Sequence, residues 1–302
     1  MKKVLYIIFL FALVGCIFVY KEEVTKIYFD IIKYFSPVDS TIEKNEYFRD
    51  YNFAYLQNTT DFEPNNMQDV INIFYTVINS GQETFSFYCP DEYPTCIDDV
   101  KDLANNQTML SHINNFVHPY NGFKHIETQY NSLGKVTIIV FKSYDLEKAM
   151  ILDKKVDEII NSQIKDSYTD IEKIRTIHNY IINNSKYDID RSEHNIMKYD
   201  SDTAYGPLIQ GYGICGGYSD AMQLFLEKFN IKNYKVASDS HIWNAVFINN
   251  KWYHLDLTWD DPITPDGIQI LDDDYFLISS NKLMSLDTKE HFFDNTVYSE
   301  VK

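Results

Sequence analysis

Glycine and proline are scarce, with 10 and 8 residues in a chain of 302. No segment recurs at a fixed period either, so solenoid and low-complexity architectures are excluded. Basic residues are outnumbered, 27 Lys and Arg against 44 Asp and Glu, for a formal net charge of −17. Such a surface repels polyanions, which excludes nucleic acid as a partner and makes anionic lipid or wall polymer a reluctant one. A neutral or basic substrate is expected instead. Cysteine is limited to four residues, each of which can be read by its context.

What is present is apolar and aromatic: 45% and 16% of the residues. That is enough for one large domain or two small ones with a real core. At the N-terminus, Lys2 and Lys3 precede an apolar run from Val4 to Tyr20, and Lys21-Glu22-Glu23 follow. The charge ahead of the run makes residues 1–20 an export signal that places the remainder outside the cytosol. Leu13-Val14-Gly15-Cys16 is similar to a bacterial lipobox, yet Ile17 to Tyr20 carry the apolar run past Cys16. An uncleaved signal anchor, a lipoprotein signal and a cleaved leader all remain open, and each puts the protein at the outer face of a membrane.

Residues 21–42 read as a helical stalk and linker ending in Pro37 and VDST. Residues 43–144 form a smaller α/β region. Its pattern predicts a helix near 66–79, a strand near 83–88, a helix near 97–116, and a hairpin pairing FKHIETQY with KVTIIVFKSY. Cys89 and Cys96 flank PDEYPT and can form a short-range disulfide or serve as two core thiols. His112, His118 and His125 lack ligand-like spacing, so no metal or cofactor is expected. From 145 onward a charged helix runs to about 165. A second follows DSYTD, with Ile171, Ile174, Ile177 and Ile181 on one face and His178 in a packing or capping part.

The chemistry concentrates in the last third. Cys215 stands in GICGGYSD, just ahead of Ala221, Leu224, Phe225 and Phe229, whose spacing predicts a buried helix ending near Asn230. At a helix start the unpaired N–H groups and the dipole favour a thiolate, and Gly216 and Gly217 are expected to let substrate approach the backbone. HIWNAVFI and KWYHLDLTW then form a hairpin across Asn249-Asn250. A two-residue loop puts Trp243 opposite Asp256 and His241 opposite Thr258, so His241 and Asp256 become diagonal neighbours on one face. A thiol, an imidazole and a carboxylate are thereby supplied as nucleophile, base and orienter. Trp243, Trp252, Tyr253 and Trp259 would make the surroundings apolar. The acidic stretches LDDDY and DDP lack the spacing of an EF-hand loop and read as solvated surface, with Asp260, Asp261 and Pro262 ending the strand at the cleft rim.

KIRTIHNYIINNSKYD, YGPLIQGYGICGGYSDAMQLFLEKFNI and HIWNAVFINNKWYHLDLTWDDP resemble the transglutaminase-like superfamily, in particular its exported bacterial members. The resemblance covers about 170–262 and implies a papain-like α+β core in residues 145–302, with the cysteine helix packed on an antiparallel sheet. It carries the family's triad onto Cys215, His241 and Asp256. It also makes Tyr205 the preferred oxyanion residue beside the Cys215 N–H. Gln210, five residues ahead of Cys215, is the other candidate, and strand alternation points Asn244 away from His241, which gives it a structural part. The activity implied is thiol-dependent acyl transfer on protein or peptide substrates, including those of the cell envelope. A peptidase or cell-wall peptide hydrolase of the same fold, or an inactive membrane-anchored scaffold, are the alternatives.

Overall fold

The computed structural model describes residues 41–262, 271–286 and 289–302, with isolated positions before 41. The expected membrane segment at 1–20, Cys16 included, and nearly all of the stalk lie outside the described residues. Among those that are described, no helix is long and apolar enough to cross a membrane.

The architecture is α+β. In the N-terminal region, α1 (Met67–Asn79), α2 (Cys96–Asn105) and α3 (Gln107–Asn115) accompany an antiparallel sheet of order β1-β3-β2, built from Thr84–Tyr88, Phe123–Tyr130 and Lys135–Lys142. The single helix expected over 97–116 is two helices. Asn106 leaves helical geometry and its side chain accepts from the Met109 N–H, because asparagine caps a new helix better than it continues an old one. Cys89 and Cys96 form a disulfide, their Cα atoms 5.7 Å apart.

In the second half, α4 (Leu146–Gln163) and α5 (Asp170–Asn184) lead to a short parallel pair, β4 (Lys186–Tyr187) with β5 (Tyr212–Gly213), and α6 (Ile189–His194) lies between them. A capping box of Thr169 with Glu172 starts α5 and satisfies two otherwise orphaned N–H groups. Then come α7 (Cys215–Lys228), the antiparallel sheet β6-β7-β8 (Asn233–Ala237, Ile242–Ile248, Lys251–Leu255) and α8 (Ser280–Leu286). Asn249 and Asn250 both take positive φ, 51° and 60°, the geometry of a two-residue turn that matches strand twist. The register is the one such a loop dictates, from Ile248 opposite Lys251 to Asn244 opposite Leu255.

Strand β7 divides its side chains between two cores. Trp243 and Ala245 join the core of the N-terminal region, whereas Val246 and Ile248 join the one built by α4, α5 and α7. Every residue from Gly217 to Leu226 is buried, so α7 is a central helix rather than a half-exposed one. Phe225 alone, fully buried, contributes roughly 2–3 kcal/mol of hydrophobic stabilisation. Arg49 fastens the two halves. Only 2% exposed, it donates to Phe116 O at 2.9 Å and Asn233 O at 3.2 Å, and pairs with Glu227 at 2.5 Å.

Candidate active site

Cys215 is the first residue of α7, where the N-cap Ile214 offers no side-chain hydrogen bond and no acidic residue occupies the first turn. The helix therefore keeps its positive end for the thiol and for whatever approaches it. Cys215 is the free cysteine among the described residues, and it is half-buried. The glycines after it serve the fold. A Cβ on Gly217 would stand 2.2 Å from Ser201 O, and one on Gly216 would stand 3.0 Å from Asp202 O. The close backbone approach expected for a substrate is thus already made by the chain's own 201–203 segment, which seats the helix start.

His241 precedes β7, and Asp256 follows β8. The hairpin brings them together, with His241 Nε2 to Asp256 Oδ2 at 2.5 Å and both side chains buried. With Nε2 taken, Nδ1 is the nitrogen left for the Cys215 thiol, which lies close enough to favour the charged imidazole. Burial alone would lower the imidazole's pKa. The Asp256 charge and hydrogen bond, with the thiol, outweigh it and raise the value to about 10. Burial likewise works against the Asp256 carboxylate, but His241 and a second histidine hold it well below the usual carboxylate range.

That second histidine, His291, was not singled out by the sequence. It is fully buried, and its Nε2 reaches the same Asp256 Oδ2 at 2.9 Å. The other carboxylate oxygen accepts from the Thr258 and Trp259 N–H groups at 2.9 and 3.3 Å. No spacing rule connects His291 to Asp256 across 35 residues; the apolar HFF context is its one hint. Trp243 stacks on His241 with ring centroids 5.7 Å apart, and Trp259 stands edge-on at 6.4 Å. Trp252 packs instead against Tyr234, and Tyr253 against the core around α7.

Residues 157–257 match the family model of the transglutaminase-like superfamily, a span that includes Cys215, His241 and Asp256. This segment belongs to the transglutaminase-like superfamily. Kyphoscoliosis peptidase from Homo sapiens is 23% identical over 186 residues, and that from Mus musculus 21%. In each case the match covers 54% of this chain and 27% of the relative, so the chain spans about a quarter of the length of these relatives. A crystal structure of a TGase aligns over 45% of both chains at 14% identity, with a TM-score of 0.35.

Around the transglutaminase-like core, the remaining candidates fall as follows. Tyr205 heads the turn Gly206–Gln210, and its ring lies 5.3 Å from the Lys148 ammonium. Gln210 accepts from the Asp200 N–H at 2.8 Å and so holds the neighbouring loop. The tyrosine whose hydroxyl senses Cys215 is Tyr187, on β4; burial first, then the charge of Cys215, raises its pKa. Asn244 donates to Ser219 O at 3.0 Å, tying β7 to α7.

Asp260 and Asp261 correct the reading of DDP as solvated surface. Both are buried, because His178 Nε2 meets Asp260 Oδ2 at 2.9 Å and the Tyr218 hydroxyl meets Asp261 at 2.5 Å. Among the described residues, the group able to hold a metal ion is His241, Asp256 and His291, with ligand atoms within 4.8 Å of one another. In the structure those atoms are engaged with each other around Asp256 Oδ2.

Proposed function

We propose that this chain is a thiol-dependent acyl-transfer enzyme acting on peptide or protein carbonyls. The observation that carries the reading is the buried His241–Asp256 pair at 2.5 Å, with the Cys215 thiol close enough to favour the charged imidazole. The thiol proton passes to His241, and the thiolate attacks a carboxamide or peptide carbonyl carbon. The oxyanion is received by N–H groups at the start of α7, with Tyr205 or Tyr187 as the hydroxyl candidates. His241 then returns its proton to the departing amine, leaving a thioester. Water or an amine attacks the thioester carbonyl, loses its proton to His241, and the thiol is released. Asp256 keeps the imidazole oriented and stabilises its charged form throughout.

Water as the second nucleophile makes the enzyme a peptidase, the sense favoured by the name of the curated relatives. An amine makes it a crosslinking transglutaminase. We place the chemistry in residues 145–302, downstream of the region 43–144. We place the site outside the cytosol, since Lys2 and Lys3 precede the apolar run and the Cys89–Cys96 disulfide suits an oxidising compartment.

The test is the alkylation rate of Cys215 across pH in the full chain, read by peptide mapping, with His241→Ala beside it. An unassisted thiol loses reactivity below about pH 8. Retained reactivity near pH 6 that disappears in His241→Ala supports the ion pair. A profile indifferent to the mutation overturns the enzyme reading in favour of a scaffold. A labelled amine and a search for new peptide termini then separate the two acceptors.

A further inference from the structure

A cleft of about 680 Å³ reaches Gly216 and Ile242, the residues immediately after Cys215 and His241. One side of it comes from the N-terminal region, through Ser111, Asn114 and Lys124, and the other from the segment around Lys198 and Thr203. Its charge departs from that of the chain. Lys148 pairs with Asp200 at 3.2 Å, Arg191 with Asp202 at 2.9 Å and Lys235 with Asp220 at 2.6 Å, so these six groups cancel. Lys124 and Lys198 also line the cleft, and among the described residues neither enters an ion pair with a carboxylate. A protein of net charge −17 therefore carries a locally positive cleft that reaches the residue after its candidate nucleophile.

Lys235 gives that positive charge a direction. Its side chain is 10% exposed, and among the described residues its one side-chain hydrogen bond goes to Asp220 Oδ1. Asp220 cannot swing away, because its other oxygen accepts from the Tyr144 hydroxyl at 2.7 Å, which itself accepts from the Ala204 N–H. An ammonium carries three N–H donors, and a buried one with donors to spare is costly until an acceptor arrives. A carboxylate entering the cleft would supply that acceptor and meet Lys124 and Lys198 at the rim.

We propose that this cleft is an anion subsite, which takes the carboxylate side chain of an acidic residue flanking the acyl-donor residue of a peptide substrate. The proposal rests on the thiol-transfer reading above and makes the N-terminal region part of the specificity machinery.

Two alkylating probes that differ by a single charge test it on the full chain: iodoacetyl-aspartyl amide and iodoacetyl-asparaginyl amide. The acidic probe is expected to label Cys215 roughly ten-fold faster, as one charge-assisted hydrogen bond would produce. Lys235→Met should bring the ratio of the two rates close to one. Lys124→Glu combined with Lys198→Glu should cut it about three-fold and remove its salt dependence, and this surface variant carries the test if Lys235→Met does not fold. Equal rates for the two probes, with labelling still dependent on His241, would overturn the subsite and leave the thiol reading standing. Labelling of Cys215 by neither probe would overturn both.

Discussion

Two buried histidine–aspartate pairs sit within one stretch of chain, and they differ in what surrounds them. His241 meets Asp256 at 2.5 Å; His178 meets Asp260 at 2.9 Å, and the Asp260 N–H donates to Asp256 O at 3.3 Å. Nδ1 of His241 is left for the Cys215 thiol, which favours the charged ring, whereas that of His178 meets Asn179 at 2.9 Å. Asp256 receives two imidazoles and two backbone N–H groups; Asp260 receives one imidazole and the Tyr275 N–H. The consequence is opposite in sign. Burial raises the Asp260 pKa despite its partners, while Asp256 is held down by a fuller set. A buried pair is therefore poised for proton transfer only when its carboxylate is over-satisfied and its imidazole looks onto a nucleophile. Otherwise it fastens one element to another, here α5 to the segment after β8.

The largest break in this comparison is Asp256→Asn. Removing the charge should lower kcat/KM roughly 10³- to 10⁴-fold, as a neutral amide no longer favours the charged imidazole. The same variant should move the alkaline limb of the Cys215 alkylation profile from near pH 10 down toward 6.5, because the charge that raises His241 is gone. Unchanged alkylation would mean that Asp256 only positions the loop.

His178→Ala breaks the other pair and should act on stability. It leaves the Asp260 carboxylate buried without its imidazole, at a cost of about 3–5 kcal/mol in thermal or denaturant unfolding. The alkylation profile of the folded protein should stay where it was. A shift in that profile would show that the backbone contact between Asp260 and Asp256 couples the pairs.

The smallest effect sharpens the contrast through pH. Burial pushes Asp261 up to about 6, against the opposing hydrogen bond from Tyr218. A carboxyl whose folded pKa is raised gives stability that is fully present below its unfolded value and lost as pH rises through the folded one. Asp261→Asn should thus raise Tm at pH 8 by about 2–4 °C, on the order of 1 kcal/mol, and leave it nearly unchanged at pH 4. An equal gain at both pH values would assign the effect to packing rather than to charge.

The hairpin explains how much of the site could be read in advance. Two strand-like runs and Asn249-Asn250 fix a register, and that register alone makes His241 and Asp256 diagonal neighbours. The start of α7 was legible for a similar reason, since glycines before an apolar 3-4 pattern mark a helix entrance. His291 was not, because it reaches Asp256 from a segment with no periodicity and no constraint on where it folds back. The burial of Asp260 and Asp261 was hidden too, since composition reports the average fate of acidic residues and not the partners that a particular fold supplies.

Local rules along the chain reach most of the helices and strands, the turn geometry, the hairpin register and the order of Cys215, His241 and Asp256. Folding in three dimensions settles which carboxylate is surrounded, which histidines gather on it, and that a chain of net charge −17 keeps a cationic cleft reaching Gly216. Those properties depend on burial and on partners distant in sequence. Periodicity is a local property of the chain, but the electrostatic environment of a side chain is set by every segment that packs against it.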